Sequence, residues 1–114
     1  MKPGDIVLLK LPQIAGGPPK LRPALVLAHL PGPYQNILIC GISTQLHDLQ
    51  SDWDELIDSR DSDYTSSGLR KTSAIRLSYL YAADAKEFSG RIGSISSTRM
   101  NRVLERLSKF LGSK

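Results

Sequence analysis

The sequence predicts a mainly β fold ending in a single α-helix, and three observations carry that reading. Short apolar runs rich in Val, Ile and Leu are separated by Gly/Pro breaks through most of the chain. The last segment then changes its apolar period from about two residues to about 3.6. The 114 residues amount to one domain, with room for a real core but none for a second domain. Five or six short strands followed by one amphipathic helix make a small barrel or a curled sheet with the helix packed on it.

Residues 5–10 are the first expected strand: Ile6, Val7, Leu8 and Leu9 are apolar and partly β-branched, and Pro12 closes it. Residues 15–20, Ala-Gly-Gly-Pro-Pro-Lys, continue neither strand nor helix and read as a loop. Residues 22–28 are the second strand, in which Pro23 must sit where no ladder donor is needed. After the turn Pro31-Gly32-Pro33, residues 35–42 form a third strand, whose unbroken Ile37-Leu38-Ile39-Cys40 implies burial on both faces. Residues 43–64 are polar and acidic, with one short strand candidate at 53–57. Residues 71–78 alternate as a strand, and 79–83 continue it or turn into the next. Gly90 and Gly93 flank a short extended piece, Arg91-Ile92.

The C-terminal helix spans 96–111. Ser96 is its N-cap, Met100, Val103, Leu104, Leu107, Phe110 and Leu111 form one apolar stripe, and Gly112 ends it. The opposite side holds Arg99, Arg102, Glu105, Arg106 and Lys109 and reads as a solvated face.

With 40% hydrophobic and 23% charged residues, the chain is of ordinary soluble globular composition. No apolar run nears the roughly 20 residues that span a bilayer, and residues 6–9 are too short for a secretory signal core. The lone Cys40 has no internal disulfide partner, which fits a reducing, cytoplasmic location. A net charge of +4 is unevenly spread. Residues 1–44 carry Lys2, Lys10, Lys20 and Arg22 against Asp5. The acidic insert, residues 45–64, sets Asp48, Asp52, Asp54, Glu55, Asp58, Asp61 and Asp63 against Arg60 alone. Residues 65–114 carry ten Lys/Arg against Asp84, Glu87 and Glu105. Such a pattern suits a positive face for an anion, with the acidic segment pointing elsewhere. A solvated surface without a partner explains it equally well.

The residue inventory excludes several chemistries. Two His, at 29 and 47, and a Cys inside an apolar strand give no zinc ligand set. The acidic insert lacks the spacing and Gly of a calcium loop and reads as solvated. Gly16-Gly17 is followed by Pro18-Pro19, which removes donors a phosphate cradle needs, and there is no nucleophile elbow. Neither metal nor cofactor is expected. RNA transesterification requires neither: the ribose 2′-OH attacks the adjacent phosphorus, and the protein orients the phosphate, stabilises its charge and moves protons. Arg suits the charge role, because its fork spans two phosphate oxygens. A Ser or Thr hydroxyl adds a further hydrogen bond.

Several segments, in order, resemble the MazF/PemK/Kid family of toxin ribonucleases. They are Gly4-Asp5-Ile6-Val7, Arg22-Pro23-Ala24-Leu25-Val26-Leu27, Cys40-Gly41-Ile42-Ser43, Gly68-Leu69-Arg70-Lys71-Thr72-Ser73-Ala74-Ile75-Arg76, Gly90-Arg91-Ile92-Gly93-Ser94-Ile95-Ser96 and the helix from Met100. The resemblance covers nearly the whole chain. It implies one SH3-like barrel of the PemK/Kid type over residues 1–114, usually a homodimer, held in check by a small antitoxin protein. It also implies sequence-selective, metal-independent cleavage of single-stranded RNA. Arg22 matches the family's catalytic Arg, Ser43 its catalytic Thr/Ser, and Arg76 a further Arg of the Kid branch. Lys20, Thr44, Lys71 and Thr72 are the expected RNA-contacting neighbours. Residues 13–21 match the flexible first loop beside the RNA site.

Two positions depart from the pattern. The Kid branch carries a proton-transferring Asp two residues after the second Arg, where this chain has Ser78, and a first-loop His, where it has Gly16-Gly17. The alternative reading is therefore a toxin-like barrel, impaired in catalysis, that binds RNA or a partner protein. A third, a ribosomal or transcription-type module, explains the basic segments but not the Arg22/Ser43 pairing.

Each candidate has a plainer reading. Arg22 can be a strand-end Arg on a surface carboxylate, Ser43 and Thr44 turn hydroxyls, and Arg76 an outward-facing strand residue. His47 follows Ser43 closely and, as a residue type that titrates near neutrality, can replace a missing proton carrier; a solvated loop His is the commoner case. His29 reads as structural. Trp53 and Tyr64 can stack on bases, although packing over the core edge is commoner. The helix stripe reads as core or dimer surface.

Overall fold

The computed structural model describes residues 1–11 and 16–113; Pro12 and the 13–15 part of the expected first loop lie outside them. The strands are β1 (Asp5–Leu11), β2 (Lys20–His29), β3 (Asn36–Ser43), β4 (Glu55–Ile57), β5 (Ser73–Asp84) and β6 (Phe88–Ser94). The helices are the single turn α1 (Tyr64–Ser67) and α2 (Ser97–Gly112), with a 3₁₀ turn at Ala85–Glu87. All strand pairs are antiparallel, in the order β4-β5-β3-β2-β1-β6. Among the described residues β4 and β6 remain edges, so the sheet curls without closing into the expected barrel.

Curling buries both faces. Ile6, Leu25, Leu27, Cys40, Ile42, Ile75 and Leu77 pack under α2 through Met100, Val103 and Leu107. On the other face, Val7, Leu9, Leu11, Ala24, Val26, Ile37 and Ile39 pack together beneath Tyr79, Tyr81 and Phe88. The alternation along β3, with Ile37 and Ile39 on one side and Cys40 and Ile42 on the other, is the double-sided burial its apolar run implies. Residues 79–83 continue β5. Pairing jumps from Gly41↔Arg76 to Cys40↔Leu80, so a bulge at 77–79 bends the strand around the curl.

Ser96 caps α2 as its position predicts, its hydroxyl accepting the Arg99 N–H at 3.1 Å. The polar side of the helix is only in part the solvated face expected of it: Glu105 and Lys109 are exposed, but Arg99, Arg102 and Arg106 are drawn into ion pairs. Arg99 is 6% exposed, and Asp54, Glu55 and Asp63 are buried as well. Arg99 lies across Asp63, donating Nε to Oδ2 at 2.8 Å and Nη2 to Oδ1 at 3.1 Å, and gives Nη1 to Glu55 Oε1 at 2.9 Å and Leu56 O at 2.8 Å. Arg102 and Arg106 converge on the same Glu55. Burial pushes the Asp63 carboxyl up, but Arg99 and the Ser96 N–H outweigh it and hold it below its ordinary value. The acidic insert is thus the counter-charge of α2, not a free loop.

Candidate functional site

A groove of about 740 Å³ opens beside the β2–β3 ladder, lined by Arg22, Ser43, His47, Asp48, Asp54, Arg76 and Tyr79, among others. Its opening follows from Pro23. β2 pairs with β3 only as far as Ala24↔Gly41, while Pro23 faces Leu8 of β1. Proline has no N–H to extend the second ladder, so Arg22 and Ser43 lie on diverging strand ends with the groove between them. This is the donor-free place the sequence demanded of Pro23. Gly41 floors the groove: a Cβ there would lie 3.2 Å from Tyr79 Cγ, so its absence lets the Tyr79 ring lie over the strand.

Three side chains singled out from the sequence, Arg22, Ser43 and Arg76, therefore meet at one groove, together with His47 and Ser78. Lys20, Thr44, Lys71 and Thr72 do not line it. Lys20 precedes Arg22 by two residues on β2, so the two share a strand face, whereas Lys71 and Thr72 precede β5. The Ser43 hydroxyl accepts the Gln45 N–H at 3.0 Å, a local turn that fixes its rotamer and leaves its proton to donate. His29 lies away from the groove and bonds the Met1 carbonyl through Nε2 at 2.7 Å. Trp53 packs on the core edge and tilts against Phe110, ring centroids 5.0 Å apart. Its indole N–H donates to Ser78 Oγ at 2.8 Å. Tyr64 likewise packs against the core.

Arg76 is more than the outward-facing strand residue of its plainer reading, since its side chain is only 16% exposed. Its Nη1 meets Asp54 Oδ2 at 3.0 Å, and its Nη2 meets Asp48 Oδ1 at 2.8 Å and the Gln45 carbonyl. Asp48 and Asp54 stand 28 and 22 residues earlier in the chain, a separation that leaves no local signal in the sequence. A groove lined by a hydroxyl and two guanidinium groups can hold a phosphodiester and stabilise charge that develops on it. Among the described residues, no three His, Cys, Asp or Glu side chains are grouped so as to hold a metal ion.

This curled sheet with its terminal helix has the fold of a solved toxin structure. It superposes on the Mycobacterium tuberculosis toxin MazF-mt6 with a TM-score of 0.69, over 96% of this chain and 98% of that one, at 17% identity. In sequence, the model for PemK-like, MazF-like toxins of type II toxin–antitoxin systems matches residues 2–111, and the chain belongs to that family. No curated protein matches it in sequence.

Proposed function

We propose that the chain is a cytoplasmic endoribonuclease toxin that cleaves single-stranded RNA without a metal and is neutralised by an antitoxin, most simply as a homodimer. Its family supports the toxin class. The observation that carries the reaction is the meeting of Arg22, Ser43 and Arg76 at one groove, although they come from three strands. The 2′-hydroxyl gives up its proton as its oxygen bonds to phosphorus, the bond to the 5′-oxygen breaks and that oxygen takes up a proton, and a 2′,3′-cyclic phosphate and a 5′-hydroxyl result. Arg22 and Arg76 bind the phosphate oxygens, and Ser43 donates a hydrogen bond to one of them. Lys20, Thr44, Lys71 and Thr72, which do not line the groove, contact the RNA outside it.

The deciding experiment is incubation of purified protein with a long single-stranded RNA in excess EDTA, with Arg22→Ala in parallel. Cutting at a short recurring sequence, lost in the variant, is expected; equal cutting by the variant would remove Arg22 from the site. A second reading, a binding protein impaired in catalysis, is favoured by one observation: Ser78, at the Kid-branch Asp position, is engaged with Trp53. Retained RNA binding without cutting selects that reading.

A further inference from the structure

Arg76 is held by two carboxylates of very different exposure, and its Nη2 also meets the Gln45 carbonyl. Asp54 is 5% exposed, its Oδ2 takes both Arg76 Nη1 and the Gln50 N–H, and its Oδ1 is buried without a hydrogen-bond partner among the described residues. Leaving Arg76 would strand that charge in the interior, so Asp54 stays. The insert that carries it is fixed in turn from α2, since Arg106 Nη1 donates to the Asp54 carbonyl at 3.0 Å and to Glu55 Oε2 at 2.8 Å. Asp48 differs. Its side chain is 70% exposed, and it can leave Arg76 for water at little cost. Yet it occupies the Nη2 edge of the guanidinium, on the groove that takes the phosphate in the reading above.

We propose that Asp48 is a displaceable counter-charge: the phosphate of a bound RNA takes its place on Arg76, and Asp48 thereby sets the affinity of the groove for RNA. The inference rests on the RNA-cleaving reading, and it makes Asp48 a determinant of substrate binding. Asp54 keeps the guanidinium aimed while the exchange takes place. Because the carboxylate and the phosphate compete for the same guanidinium edge, binding of the phosphate costs the Asp48 pair.

The test is the Kd of a fully 2′-O-methylated, uncleavable single-stranded RNA of mixed sequence, read by fluorescence anisotropy at low salt. Asp48→Asn is expected to bind about two- to fivefold tighter than wild type, the range of an exposed ion pair. Asp52→Asn removes an exposed charge from the same insert without touching Arg76 and is expected to change Kd less. In an Arg76→Gln background the gain from Asp48→Asn should vanish. Equal gains from the two Asn variants, or a gain that persists without Arg76, would overturn the proposal while leaving RNA binding established. Where Arg76→Gln fails to fold, the Asp48→Asn and Asp52→Asn comparison decides alone. If neither wild type nor Asp48→Asn binds the RNA, the functional reading itself falls, and this inference with it.

Discussion

Gly93 has no room for a side chain. A Cβ there would lie 2.2 Å from the Ser66 carbonyl oxygen and 2.4 Å from the Ser67 carbonyl carbon, so α1 rests backbone-to-backbone on β6. Gly68, which ends α1 with φ +76°, is hemmed in from the same side, its added Cβ falling 2.2 Å from the Ile92 carbonyl. Both glycines belong to the segments that resemble the toxin family, and here they have a mechanical reason. Gly93→Ala is expected to cost about 3 kcal/mol by overpacking and to lower Tm by roughly 10 °C or more; a Tm within a degree of wild type would mean that α1 lifts off freely. Cys40 gives a second prediction at this scale. Burial pushes its thiol up to about 12, so almost no thiolate forms at mildly alkaline pH. Ellman's reagent should leave the native protein unlabelled and react on denaturation. Fast native labelling would show the centre of the sheet opening on its own.

At the scale of elements, the decisive partnership joins α2 to the acidic insert. Arg99 gives its donors to Asp63, Glu55 and the Leu56 carbonyl, and its Nη2 also lies 3.2 Å from Asp61. Removing one member of a buried ion network costs about 3–5 kcal/mol, because the charges left behind lose their compensation. Arg99→Leu should lose that much in urea unfolding. Arg99→Lys should recover only part of it, since an ammonium cannot fork across Asp63. Full stability in Arg99→Leu would mean that the insert is held without it, by Arg102, Arg106 and the apolar contacts. This partnership is also where sequence reading stopped. The helix, its cap and its apolar stripe were legible because their signals lie within a few residues of one another. Strands were legible for the same reason, down to the two-sided burial of β3. Two oppositely charged segments more than 30 residues apart look solvated when each is read alone, as do Arg76, Asp48 and Asp54. The groove was legible only through the family resemblance of Arg22, Ser43 and Arg76, because composition says nothing about which strand ends diverge.

Across the whole molecule, the charge arithmetic changes meaning once these pairs are drawn. The insert's negative charge is largely consumed by Arg99, Arg102, Arg106 and Arg76. With these four arginines the insert retains a net −2, so the rest of the surface carries +6 against the total of +4, and Arg22 at the groove is part of it. One network then ties folding to the site: α2 holds the insert, the insert presents Asp54, and Asp54 aims Arg76. Acid should pull on the whole chain of contacts. The Asp63 carboxyl is held below its ordinary value of 3.8 in the folded protein. Asp5 is likewise depressed: burial raises it, but the Lys2 N–H and Arg91 outweigh that. A group depressed by folding stabilises the native state fully above its unfolded pKa, and that contribution is lost as pH falls through the folded value. Stability in urea should thus be lower at about pH 3 than at about pH 7. The acid loss should shrink in Arg99→Leu, where the Asp63 partner is already gone. If wild type and Arg99→Leu lose the same amount on acidification, the Asp63–Arg99 contact does not govern acid stability.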